Sequence, residues 1–271
     1  MTSEPPLPLP GYGEFEIDIP AVFKQQLPEV LEKIPEASLT LENVLALPER
    51  AQGGYVLLMN GKRVYVGKTD AAAGFQSRLR RHWNNIQDRV GLDPSKVTFK
   101  AVRIMVFHNF DVEDILIKRF AEIDGQSLTW NNSGFGSNDP GHRRESQAPA
   151  EFDLQYPIDI DRRKNIGAGN KRILDVLVWL KDHLPYLLRY ETEPRPTPKR
   201  PDATAYYTVG HVDQRDATVN FPNDQMSVRE IMTALVNALP IEWQCTVFAD
   251  RVILYKEATK YPYAKCTIQA K

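Results

Sequence analysis

Residues 53–67 read GGYVLLMNGKRVYVG, and the fold of the first half of the chain follows from them. Tyr55–Met59 and Arg63–Val66 are apolar runs rich in strand formers, and Asn60-Gly61 between them is the dipeptide best suited to two successive positive φ values. A tight hairpin is predicted. Tyr55 and Tyr65 lie at the same parity on the two strands, each beside a glycine (Gly54 and Gly67), so their hydroxyls are expected to converge.

Working outward, Gly74 precedes a stretch, Phe75–Val90, in which Phe75, Leu79, His82 or Trp83, and Ile86 recur at helical spacing. Val97–Phe107 alternates like a strand, and Val112–Ile123 returns to a helical period. The predicted order is β-β-α-β-α. Upstream, a proline-dense start precedes a short helix around Pro20–Ile34. Downstream, Trp130–Gly141 is dense in Asn, Gly, Ser and Pro and reads as a structured loop. Lys171–Leu188 reads as a further amphipathic helix. Glu193–Asp202, with prolines at 194, 196, 198 and 201, reads as a stiff linker and the domain boundary. Beyond it Ala217–Phe221, Ser227–Ala238, Trp243–Phe248 and Arg251–Tyr255 read as strand, helix, strand and strand, a small α+β unit.

Composition is that of a globular protein, with 42% hydrophobic and 25% charged residues, which argues against disorder and against a fibrous architecture. No apolar run reaches the ~18 residues of a membrane span, and Met1–Pro10 lacks the pattern of a signal peptide, so a cytoplasmic protein with no membrane partner is expected. Cys245 and Cys266 have no CxxC spacing and read as buried thiols. The net charge of −1 hides an asymmetry: residues 1–52 hold three basic and nine acidic side chains, whereas residues 60–105 hold ten basic and three acidic. The basic block suits a polyanion, since each phosphate neutralised releases counterions.

Arg78 and His82 sit at i and i+4, so one helical face would present a guanidinium and an imidazole together, a pairing suited to holding phosphate and managing a proton. Glu113 stands in the next helix. Taken singly, each of these residues has an ordinary reading as a strand tyrosine or a solvated helix face. In combination they resemble a family. Gly53-Gly54-Tyr55, Tyr65-Val66-Gly67, Arg78 with His82, Glu113 followed by Ile117, and Asn131 stand in the order of the GIY-YIG nuclease signature. Leu45-Ala46-Leu47-Pro48-Glu49-Arg50, Trp130-Asn131 leading to Gly134-Phe135-Gly136, and Asp139-Pro140-Gly141 are similar to the type II restriction endonucleases of that superfamily that are isoschizomers of SacII. The resemblance spans about residues 45–144. The central tripeptide is Gly-Gly-Tyr rather than Gly-Ile-Tyr, and the hairpin lacks the insertion carried by the restriction-enzyme branch.

The resemblance implies an α+β chain. An N-terminal arm and helix would occupy residues 1–44 and a GIY-YIG endonuclease domain with a helical extension residues 45–192. A linker at 193–202 and a small α+β domain at 203–271 would follow. It implies that Tyr55 and Tyr65 contact the attacking water, that Arg78 binds the scissile phosphate with help from His82, and that Glu113 binds Mg²⁺ (or Mn²⁺). Asn131 would orient phosphate or tyrosine, and Lys68 would hold a tyrosine hydroxyl near its deprotonated state. Lys62, Arg63, Arg80, Arg81, Arg143 and Arg144 are the candidate contacts to double-stranded DNA. One such site cuts one strand, so a double-strand break at a palindrome would require a homodimer or two visits. The activity implied is DNA phosphodiester hydrolysis in restriction or phage defence. The alternatives are a catalytically silent DNA-binding module and a nuclease toxin whose C-terminal domain binds a partner.

Overall fold

The hairpin forms as predicted, with Asn60 and Gly61 at φ +52° and +74°, the pair of positive values that a two-residue loop needs to match strand twist. A computed structural model describes residues 18–69, 73–105, 112–135, 145–193 and 207–270. Helix α1 (Ile19–Lys33) starts on Asp18, whose carboxylate accepts from the amide of Ala21. Then follow β1 (Ala37–Ser38), α2 (Leu41–Leu45) capped by Thr40, β2 (Gly53–Met59), β3 (Lys62–Thr69), α3 (Gly74–Asn85), β4 (Val97–Arg103), α4 (Val112–Asp124) and α5 (Glu151–Gln155). The strands form an antiparallel sheet in the order β1-β4-β2-β3.

Every residue of β2 before Met59 is buried because helices cover both faces of the sheet. On one face Tyr55 and Leu57 pack with Phe75 and Leu79 of α3, with Phe99 and with Trp130. On the other Val56, Leu58 and Val66 pack with Leu27 and Leu31 of α1 and with Leu116 and Phe120 of α4. The N-terminal helix is therefore part of this core rather than an appended arm. Helix α3 stops at Asn85, five residues short of the predicted Val90. Asp88 turns the chain at φ +51°, its carboxylate held by Arg162 and Lys164, and the amide of Val90 donates to the carbonyl of Pro157.

The second half runs through β5 (Arg163–Asn165), β6 (Gly169–Arg172), α6 (Ile173–His183), β7 (Leu187–Tyr190), α7 (Val212–Asp216), β8 (Thr218–Phe221), β9 (Gln225–Ser227), α8 (Val228–Ala238), β10 (Trp243–Val247), β11 (Arg251–Lys256) and β12 (Cys266–Gln269). A four-stranded sheet has the order β12-β10-β11-β7, and β5–β9 and β6–β8 are two-stranded ribbons. The predicted helix over Lys171–Leu188 is shorter than expected. Lys171 and Arg172 pair with Val219 and Thr218 in a ribbon, and Leu187 and Leu188 enter the sheet. Cys245 is buried, whereas Cys266 is partly exposed and accepts from Arg229.

The domain boundary at 193–202 is corrected by this topology. β7, before the proline-rich segment, pairs in parallel with β11, after it. Ile173, Leu177 and Leu180 of α6 share one core with Phe221, Ile231, Leu235 and Trp243. The proline-rich stretch connects two parts of a single unit, and residues 194–206 lie outside the described residues. By core membership the division falls between Tyr156, which packs with the first sheet, and Ile158, which packs with the second. The two halves are joined by polar contacts. Arg189 and Tyr255 both donate to the Glu145 carboxylate, and the amide of Ile158 donates to the carbonyl of Ala249. No helix among the described residues is long and apolar enough to cross a membrane.

Candidate active site

A two-residue loop at Asn60-Gly61 would, by plain counting, pair Tyr55 with Val66 and send Tyr65 to the opposite face of the sheet. The structure breaks that register. Leu58 pairs with Arg63 but Leu57 pairs with Tyr65, so Val64 is an extra residue in β3 and Tyr55 stands opposite Gly67. This bulge turns Tyr65 onto the face that carries Tyr55. The expected convergence holds, with 6.1 Å between the two ring centroids, but it depends on a bulge rather than on shared parity. The amide of Trp130 donates to the carbonyl of Val64 and so anchors the bulge.

Gly67 is required by the close approach of Tyr55: a Cβ there would stand 2.3 Å from the phenol oxygen. A Cβ on Gly53 would stand 2.0 Å from the carbonyl oxygen of Val102. Thr69 closes the mouth of the hairpin, accepting from the amide of Gly53 and donating to the carbonyl of Ala51.

His82 comes up from α3 beneath the two phenols, sharing a 2.8 Å hydrogen bond between Nε2 and the Tyr55 hydroxyl. Its ring lies 4.8 Å from that of Tyr65 and is stacked on Phe135 at 4.9 Å. Burial, reinforced by the charges of Arg81 and Arg78, depresses the imidazole to about 3. It is neutral at working pH and, being only 3% exposed, is an internal partner of Tyr55 rather than a phosphate ligand. That corrects the expected help to Arg78. Nδ1 is buried with no hydrogen-bond partner.

Both phenols are pushed above the usual tyrosine value. For Tyr55 burial is the main cause, followed by the neighbouring Tyr65, with Arg78 opposing the shift and Glu113 adding to it. For Tyr65 burial again leads and Glu113 adds to it, against the charges of Arg78 and Arg81. Two consequences follow. Arg78 and Glu113, from α3 and α4, lie close enough for their charges to act on both phenols. In the metal-free chain burial outweighs the cationic neighbours at both tyrosines, so each phenol holds its proton. Lys68 is not among the leading influences on either hydroxyl, and pleating directs it to the face that carries α4, away from Tyr65.

Neither a family model nor a curated protein matches this chain.

Asn131 does not point at the phenols. Its side-chain amide donates to the carbonyl of Val66 and its Oδ1 accepts from the Val66 amide, at 3.0 and 2.8 Å. It thus pairs with the free edge of β3 as a strand would and fixes the residue next to Tyr65. Arg63 serves the fold as well: its guanidinium bonds Glu32 and Asp124 and lies 4.5 Å from the centroid of the Phe120 ring, tying α1 to α4. With its fork occupied by carboxylates it leaves the set of DNA-facing residues. Lys62 is exposed at the hairpin turn, while Arg80 and Arg81 lie on α3, exposed and half-buried respectively. Arg143 and Arg144 lie outside the described residues. Sequence reasoning places Phe135 in a motif but gives it no role, although it packs on His82, Tyr65, Trp130 and Phe152 and walls the site with apolar surface. The aromatic pair Trp130 and Phe135 on either side of Asn131 is the signal that could have found it.

Glu113 stands in the first turn of α4. Among the described residues no three His, Cys, Asp or Glu side chains cluster as a metal cage. A single half-buried carboxylate is the donor set of a Mg²⁺ ion that keeps most of its waters, so Glu113 fits that ion.

Proposed function

We propose that this chain is an endonuclease that hydrolyses DNA phosphodiester bonds with a divalent cation, acting in restriction or another form of phage defence. The observation that carries the reading is the convergence of Tyr55, Tyr65 and His82 in one cluster with the charges of Arg78 and Glu113 acting on it. Four elements, β2, β3, α3 and α4, contribute these groups, and residues needed only for packing would not have to include a guanidinium and a carboxylate.

In this reading Arg78 neutralises the charge that builds on the phosphate during attack. Tyr55 and Tyr65, kept neutral by burial, orient the attacking water by hydrogen bonds. His82 holds the Tyr55 hydroxyl in place and, being uncharged, leaves the phosphate to Arg78. Glu113 would hold the cation, which supplies positive charge at the phosphate and the leaving oxygen.

The test is nicking of supercoiled plasmid by purified protein with Mg²⁺, beside Glu113→Gln. The native chain is expected to cut, and the variant to lose cutting while still binding DNA, because the change removes charge but little volume. Equal cutting by the two would refute the role of Glu113. DNA binding without cutting by the native chain would mark a silent binding module.

A further inference from the structure

A cleft of about 820 Å³ opens between α3 and α6, with three arginines, Arg50, Arg80 and Arg81, and two carboxylates, Glu49 and Asp182, in its lining. Its walls are braced. Gln76 donates to the carbonyls of Leu45 and Leu47 at one end, and Asn84 donates to the carbonyl of Pro185 at the other. Arg81 links the cleft to the site: it lines the one, and its charge acts on Tyr65 and His82 of the other. Arg81 is one helical turn beyond Arg78, about 5–6 Å along the same face.

We propose that this cleft carries the phosphates of the DNA strand flanking the scissile bond, with α6 of the second unit as one wall of the DNA path. This rests on the nuclease reading and adds a track to it. Phosphates on one strand advance about 3.4 Å along the duplex axis per nucleotide, so a strand whose scissile phosphate sits at Arg78 meets Arg81 and then the Arg80 and Arg50 side of the cleft within a few nucleotides. Asp182, its carboxylate held by the hydroxyl of Tyr207, sets a negative charge on the opposite wall. That charge disfavours a polyanion at the α6 wall, and the three arginines outnumber the two carboxylates of the lining, Glu49 and Asp182. The arrangement gives the second unit a part in substrate positioning that the hairpin motif alone does not contain.

The test uses the full chain with Glu113→Gln, to prevent cutting, and a 20-base-pair duplex as probe, with affinity measured against salt. Arg50→Gln with Arg80→Gln is expected to lower the log–log salt slope by about two, at about 0.9 for each phosphate no longer neutralised. An unchanged slope overturns the proposal. Lys33→Gln with Lys118→Gln removes equal charge outside the cleft and is expected to leave the slope unchanged; an equal fall there would overturn it too. Asp182→Asn is expected to tighten binding by about twofold, since one unit of repulsion at roughly 8–10 Å in water is removed; no gain would remove α6 from the path. If the native chain cuts DNA while the cleft variants keep its slope, the cleft falls and the nuclease stands. If the slope falls but the native chain never cuts with Mg²⁺, the nuclease falls and the cleft stands as a DNA-binding surface.

Discussion

Ending the chain at residue 202, just after the proline-rich stretch, should produce a worse protein than ending it at Pro157. The longer fragment keeps α6 and β7 but removes α8, β10 and β11, against which they pack. Ile173, Val176, Leu177, Leu180 and Leu188 are each at most 1% exposed in the intact chain. At about 1.5–3 kcal/mol for each side chain returned to water, those five alone forfeit on the order of 10 kcal/mol, as much as the whole stability of an ordinary domain. The shorter fragment keeps the first core entire and gives up mainly polar interactions such as those of Glu145 with Arg189 and Tyr255. Size-exclusion chromatography and limited trypsin digestion of both fragments and the intact chain decide the matter. The 1–202 fragment should aggregate or be cut rapidly at Lys181 and Arg189. A monomeric 1–202 fragment that protects both sites as well as the intact chain does would refute the assignment of α6 to the second core.

Gly67→Ala should cut plasmid about 100-fold more slowly, because its Cβ must displace the Tyr55 phenol by an ångström or so; a native nicking rate would show that the Tyr55 position is immaterial. Arg63→Ala should lower stability by about 1–2 kcal/mol by removing its ion pairs and its packing on Phe120, leaving the salt slope of DNA binding unchanged. Denaturant melts and affinity titrations read the two effects, and a reduced slope would return Arg63 to the DNA surface. His82 is depressed from 6.5 to about 3 in the fold, so the unfolded chain takes up its proton first on acidification. Its contribution to stability is therefore complete above pH 6.5 and declines below it, by up to about 1.4 kcal/mol per pH unit. Melts at pH 7 and pH 5 should show a smaller acid-induced drop for His82→Phe than for the native chain, and equal drops would place the effect elsewhere.

The hairpin was legible because Asn60-Gly61 admits few other conformations, and the helices of the first core because Phe75, Leu79 and Leu116 keep a helical period. The second unit was misdivided because proline density reports local stiffness, while the pairing of β7 with β11 joins segments more than sixty residues apart, which no local pattern encodes. The same limit applies within the site. The residue types at 55, 65, 78, 82 and 113 could be read, but the protonation of His82 and the tyrosines could not, since it depends on burial supplied by Phe135 and Trp130. Asn131 looked catalytic for its type and spacing, and in the fold its amide is engaged with the backbone of Val66.

The bulge at Val64 makes the spacing of the two tyrosines a matter of odd and even rather than of length. Two residues added symmetrically to the hairpin would lengthen it and leave both phenols on one face. One residue gained or lost, with the bulge kept, would carry Tyr65 through to the α1–α4 side and separate the pair, and would do so without disturbing a single hydrogen bond at the loop. Chains descended from a common ancestor with this one can therefore vary the hairpin freely in steps of two, or in steps of one only by creating or erasing a bulge. The interval from Tyr55 to Tyr65 is in that sense a parity check on the site, and a relative whose interval fails it must carry its compensation in β3.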